Sequence, residues 1–160
     1  FDLREMHLER IGSGGPLVLK FDRLDDSWTA SKDGKDETLN INPNRANRYL
    51  DELEKMEVSA WLPYTDATAH EALKNPVFRL KLILQSYKEA PPVPTKSGTG
   101  DITFAPEPET EDKVITLEIA PAGEAGYSRF YYGRVNTTPN YFILNMDAVR
   151  LLGASLSEDN

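Results

Sequence analysis

Few residues in this chain have side chains suited to catalysis, and their spacing limits the chemistry open to them. Histidine occurs twice, at His7 and His70, and cysteine does not occur. Without cysteine there are no disulfides, thiolate nucleophiles or thiolate metal ligands. A serine–histidine–carboxylate triad holds its histidine between a nucleophile and an acid. His7 falls in a strand pattern and His70 in a short helical one, with no nucleophile-elbow sequence, so both read as surface or edge histidines. Two separated histidines give no zinc signature. Asn40-Ile41-Asn42-Pro43-Asn44 is rich in oxygen ligands, but Arg45 stands where a calcium loop needs glycine, so a turn and a helix cap are the better reading. Glu118 and Glu124 would serve a glycosidase only if the fold brought two carboxyls within about 10 Å in a cleft. The expectation is a non-enzyme with no cofactor and no bound metal.

Two glycine-containing segments invite a phosphate-binding reading. Gly12-Ser13-Gly14-Gly15 leads into Pro16 and a strand pattern rather than a helix, so it reads as a hairpin turn. Lys96-Ser97-Gly98 lacks the upstream glycine of a phosphate loop. Asn136-Thr137-Thr138 matches the glycosylation sequon, and a three-residue pattern of this kind reads as chance.

The aromatic residues carry more. Tyr127, Arg129, Phe130, Tyr131, Tyr132 and Arg134 crowd one segment, and Tyr141 and Phe142 follow. As a strand, the segment puts Tyr127, Arg129 and Tyr131 on one face and Phe130 and Tyr132 on the other. Exposed tyrosine and arginine anchor protein partners, so Tyr127, Arg129, Tyr131 and Arg134 are candidate partner-binding residues. Ordinary cross-strand packing competes with that reading. Trp28 and Trp61 are candidate ligand-stacking residues, with core or rim packing as the alternative for each.

These residues need elements to position them. Leu3–Ile11 and Pro16–Asp22 read as a hairpin, with Leu17, Leu19 and Phe21 at period two on one face. Ser27–Ser31 is a short strand around Trp28, and Lys32–Thr38 a polar turn. Asn42 and Pro43 open a helix whose stripe is Ala46, Tyr49, Leu50, Leu53 and Met56. Val58–Leu62 is a short strand and Thr65–Leu73 a short helix. Val77–Tyr87 alternates strongly, with Phe78, Leu80, Leu82 and Leu84 on the apolar face. Lys113–Ala120, Tyr127–Val135 and Tyr141–Leu144 read as strands, and Asn145 caps a last helix through Leu152. Lys88–Asp112, with five prolines, reads as a flexible loop or insertion. Strands in runs with segregated helices imply an α+β domain, a mainly antiparallel sheet of six to eight strands carrying two or three helices.

The totals agree with one such domain: 160 residues, 39% hydrophobic and 28% charged. A net charge of −8 repels phosphates and argues against broad nucleic-acid binding. No run approaches the roughly 18 apolar residues of a membrane span. The chain begins at Phe1, so it reads as a processed product or as a piece of a longer protein.

The order of elements resembles a known family. The hairpin runs into Asp26-Ser27-Trp28-Thr29-Ala30, then a helix with Ala46, Tyr49, Leu50 and Leu53. A leucine-rich strand, Tyr131-Tyr132-Gly133-Arg134 and Tyr141-Phe142-Ile143-Leu144 come before a final helix. This resembles the bacterial family called domain of unknown function 4340 over most of the chain except Lys88–Asp112, where the family has a shorter link. The resemblance implies envelope proteins, often membrane-anchored, some encoded beside transporters of the gliding-motility ABC type. The family has no established catalytic residues. The resulting expectation is a non-catalytic accessory module in the periplasm or another extracytoplasmic space, with protein partners there. The alternative is a small-ligand or glycan-binding domain with a pocket lined by Trp28, Trp61 or the tyrosines.

Overall fold

The structure is a computed structural model that describes residues 2–88, 109–124, 127–154 and 156. Alternating apolar residues give most of the strands. These are β1 (Asp2–Arg10), β2 (Leu17–Asp22), β3 (Ser27–Lys32), β4 (Lys35–Asp36) and β5 (Ala60–Leu62), then β6 (Phe78–Tyr87), β7 (Thr110–Pro121), β8 (Phe130–Val135) and β9 (Tyr141–Asn145). The helices are α1 (Pro43–Glu54), α2 (Ala67–Ala72) and α3 (Met146–Leu152). All nine strands join one sheet in the order β4-β3-β2-β1-β6-β7-β8-β9-β5, and every neighbouring pair is antiparallel. The α+β expectation holds, with one strand more than expected.

That strand, β4, lies in the stretch read as a polar turn. Asp33 and Gly34 link β3 to β4, both at positive φ (50° and 75°), as a two-residue type I′ hairpin requires. The Asp-Gly pair is the sequence signal for this turn.

The period-two pattern divides the sheet into two faces. The first carries Met6, Leu8, Leu19, Trp28, Leu80, Leu82, Leu117 and Ile119, and α1 and α3 lie over it. Asn42 caps α1 as expected, its side chain accepting from the Asn44 N–H at 3.0 Å and the Arg45 N–H at 3.3 Å, with Pro43 in the first turn. Ala46 and Tyr49 are the buried residues of that helix. The Tyr49 hydroxyl donates to the Leu152 carbonyl at 3.2 Å, tying α1 to α3, and burial pushes its phenol well above the ordinary value. Asn145 caps α3 through the Ala148 N–H at 2.9 Å. Leu19, Leu144 and Leu152 are fully buried, and each such side chain contributes about 2 kcal/mol of burial.

Among the described residues, α2 covers one end of the second face, packing Ala69 and Leu73 against Ala120, Tyr132 and Tyr141. The Asp66 side chain caps α2, accepting from the Ala69 N–H at 2.8 Å.

Two boundaries differ from the sequence reading. β7 starts at Thr110, inside the segment read as loop, because Tyr87 pairs with Thr110 and the Lys88 N–H donates to Glu109 at 2.8 Å. The rest of that Pro-rich segment, residues 89–108, lies outside the described residues, as does Lys96-Ser97-Gly98. β8 starts at Phe130 rather than Tyr127, so the expected alternation through Tyr127 and Arg129 does not occur.

Candidate functional site

Every structural feature of the aromatic segment follows from where β8 begins. Tyr127 and Arg129 precede the strand in the β7–β8 connection and are exposed, Tyr127 at 86%. Phe130, the first strand residue, is 40% exposed. Tyr131 pairs with Leu144 and Pro121 and, by alternation, turns to the helix-covered face with Gly133. Phe130, Tyr132 and Arg134 share the second face. The four expected contact residues therefore separate: Tyr127 and Arg129 stay on the surface, Tyr131 turns inward, and Arg134 enters a charge ladder.

Four residues in direct register on adjacent strands form this ladder: Glu9 on β1, Arg79 on β6, Glu118 on β7 and Arg134 on β8. Arg79 Nη1 lies 3.0 Å from Glu9 Oε2 and its Nη2 2.7 Å from Glu118 Oε1, while Arg134 Nη2 lies 2.5 Å from Glu118 Oε2. Glu118 is 12% exposed. Burial pushes its carboxyl up, but the hydrogen bonds from Arg79 and Arg134 outweigh that and hold it below the usual carboxylate value. A carboxylate held ionised in this way is not placed to donate a proton. Glu124 is exposed in the β7–β8 connection, where its backbone carbonyl accepts from the Ser128 hydroxyl.

Aromatic side chains continue this face beyond the ladder. Phe130 meets Tyr132 edge to face at 5.9 Å between ring centres. Tyr132 lines an open groove of about 700 Å³ between α2 and the end of β7, with Ala67, Thr68, Ala72, Pro121 and Gly123 along it. Beside it, His70 Nδ1 lies 2.8 Å from the Tyr141 hydroxyl. The arrangement can offer a partner exposed aromatic edges, a groove of mixed lining that includes Glu71 and Asn75, and the Arg129 guanidinium. The alternation read from the sequence groups Phe130 with Tyr132 as found, but it does not tell which face the long helices cover, and so does not single out Phe130 as the exposed ring.

The two tryptophans part in the same way. Trp28 is 6% exposed, packed on Phe21 at 5.0 Å, and its indole N–H donates to Asn47 Oδ1 at 2.8 Å. Its rings are core, and only a small hollow of about 200 Å³ reaches it. Trp61 is 58% exposed on the edge strand, edge-on to Phe142 at 5.6 Å. His7 lies 3.0 Å from Glu5, and Lys20 reaches the same carboxylate at 3.2 Å. Asn136 of the sequon is held by backbone: its Oδ1 accepts from the Thr116 N–H at 2.8 Å, and its Nδ2 donates to Val114 at 2.9 Å. Among the described residues no group of three or more acids or histidines could hold a metal, and no helix is long and apolar enough to cross a membrane.

Fold and surface together define an α+β domain with one helix-covered sheet face and one largely open face. Residues 1–76 match the model of the family described as domain of unknown function (DUF4340), which supports the assignment that the resemblance implied. The match spans β1 through α2 and stops just before β6, so the aromatic segment lies beyond it. No curated protein and no solved structure matches the chain.

Proposed function

We propose that this domain is a non-catalytic interaction module of the bacterial cell envelope. In this reading it makes its main contact with a protein partner through the exposed Tyr127–Phe130 segment, where the second sheet face meets α2. The observation that carries the reading is Phe130, a large apolar ring 40% exposed beside Tyr132 and next to the fully projecting Tyr127. Clustered exposed aromatics next to an arginine have the composition of interface cores, and leaving them in water costs about 25 cal/mol per Å² of apolar surface. The groove under α2 adds apolar area to the same patch. The extracytoplasmic location rests on the resemblance drawn from the sequence alone, since the matching family model describes a domain of unknown function and gives no location.

Two experiments test this. Fusion of the full-length protein to a phosphatase active only outside the cytoplasm should give activity, and an inactive fusion of normal abundance would refute the location. Capture from envelope extracts should retain a partner on the wild type and lose it on a Tyr127→Ala/Phe130→Ser variant. These positions replace Tyr131, which alternation turns to the opposite face.

A further inference from the structure

Beside the β1–β2 turn, the helix-covered face opens into a cavity of about 500 Å³. Its walls are Leu8, Leu17, Ile41, Phe78, Leu152 and Leu156, all part of the hydrophobic core or packed on it. A volume of this size suits a small molecule, within the roughly 300–1,000 Å³ of ligand pockets. Arg10 and Lys32 stand at the mouth.

Local geometry places both cations there. Lys32 is in register with Leu17, and Leu17 with Leu8, so alternation turns Lys32 to the cavity side of the sheet. Its Cε lies 3.8 Å from where a side chain on Gly14 would begin, so it folds toward the glycine turn, where the Asp33 Oδ2 lies 3.6 Å from the same point. Arg10 donates to the Gly153 carbonyl at the end of α3. Arg79, Arg134 and Lys20 each pair with a carboxylate. By contrast, no carboxylate of the described residues pairs with Arg10 or Lys32. Glu37, which also lines the cavity, accepts from the Asn40 amide at 2.6 Å, and Asp33 accepts from the Gly15 N–H at 3.1 Å, so both keep their charge but neither is paired with Arg10 or Lys32. Two cations without acidic partners at the mouth of an apolar cavity, in a chain of net charge −8, fit an anionic headgroup joined to an apolar tail.

We infer that this cavity binds a small free amphiphile with one anionic head, its tail against Leu8, Leu17 and Phe78 and its head between Arg10 and Lys32. This site is independent of the partner surface and is tested separately. Titration of the isotope-labelled protein by NMR uses three probes: octanoate, octylammonium and acetate. Octanoate should bind saturably below its aggregation concentration, shifting the amides of Arg10, Gly15, Lys32, Ile41 and Gly153. Octylammonium and acetate should bind at least about tenfold more weakly, since each lacks one of the two matching features. Lys32→Glu, an exposed change at the mouth, should weaken octanoate about tenfold or more with the melting temperature held. Lys32→Gln provides the same comparison if the charge reversal disturbs folding. Vesicles of anionic phospholipid should not sediment the protein. Four results would each overturn the inference: no saturable octanoate binding, shifts centred elsewhere, equal binding of octylammonium, or indifference to both Lys32 variants. Sedimentation with vesicles would replace the free amphiphile by a bilayer lipid and overturn it too.

Discussion

Glu118 is clamped between Arg79 and Arg134, whose guanidinium groups reach it from the two neighbouring strands at 2.7 and 2.5 Å. Removing its charge leaves two cations facing a neutral amide across the centre of the sheet. Glu118→Gln should cost about 1.5–3 kcal/mol, the value of hydrogen bonds to a charged group. The folded carboxyl lies below its ordinary value, so its contribution is present above the unfolded pKa and is lost as pH falls through the folded one. The destabilisation measured by urea melts should therefore be full at pH 7 and shrink below about pH 4.3, the ordinary glutamate value. A variant as stable as wild type at pH 7 would remove the ladder from the account of stability.

Gly133 sits in the middle of β8 because Phe142 occupies the space its side chain would fill. A Cβ there would lie 2.2 Å from the Phe142 ring. Gly133→Ala should destabilise by about 1–3 kcal/mol through overpacking, and Gly133→Ala/Phe142→Leu should recover part of the loss. Gly12→Ala meets nothing within 4 Å but sits at φ +91°, so any cost there comes from backbone strain and should not respond to Phe142.

The tryptophans give an optical test of the packing. Trp28 is 6% exposed and Trp61 58%. Trp61→Phe should leave blue-shifted emission resistant to acrylamide, and Trp28→Phe red-shifted emission that quenches readily. The reverse pattern would mean that β3 and β5 have exchanged environments.

What could be read from the sequence was what local chemistry decides. The α1 cap at Asn42, the β1–β2 hairpin and the alternation of β6 each depend on a few adjacent residues, and all three hold. The Asp33-Gly34 turn was equally local and was passed over in favour of a polar turn. What could not be read depends on register. The ladder joins residues 9, 79, 118 and 134, which strand pairing alone brings together. A strand start displaced from Tyr127 to Phe130 leaves Tyr127 and Arg129 in a turn, while alternation within β8 separates Tyr131 from Arg134. Whether a tryptophan is core or surface depends on its neighbours, and α1 covers Trp28 while Trp61 lies on the edge strand.

The central claim is that the exposed Tyr127–Phe130 segment beside α2 is a contact surface. Its most direct test places a photo-crosslinking amino acid at position 130 of the full-length protein in its own cell, with the same substitution at Leu24, in the β2–β3 turn, as control. The account predicts one discrete crosslinked protein from position 130, none from position 24, and loss of the adduct when Tyr127→Ala is added without change in melting temperature. Equal crosslinking from both positions, or none from position 130 in a folded and abundant protein, would contradict it.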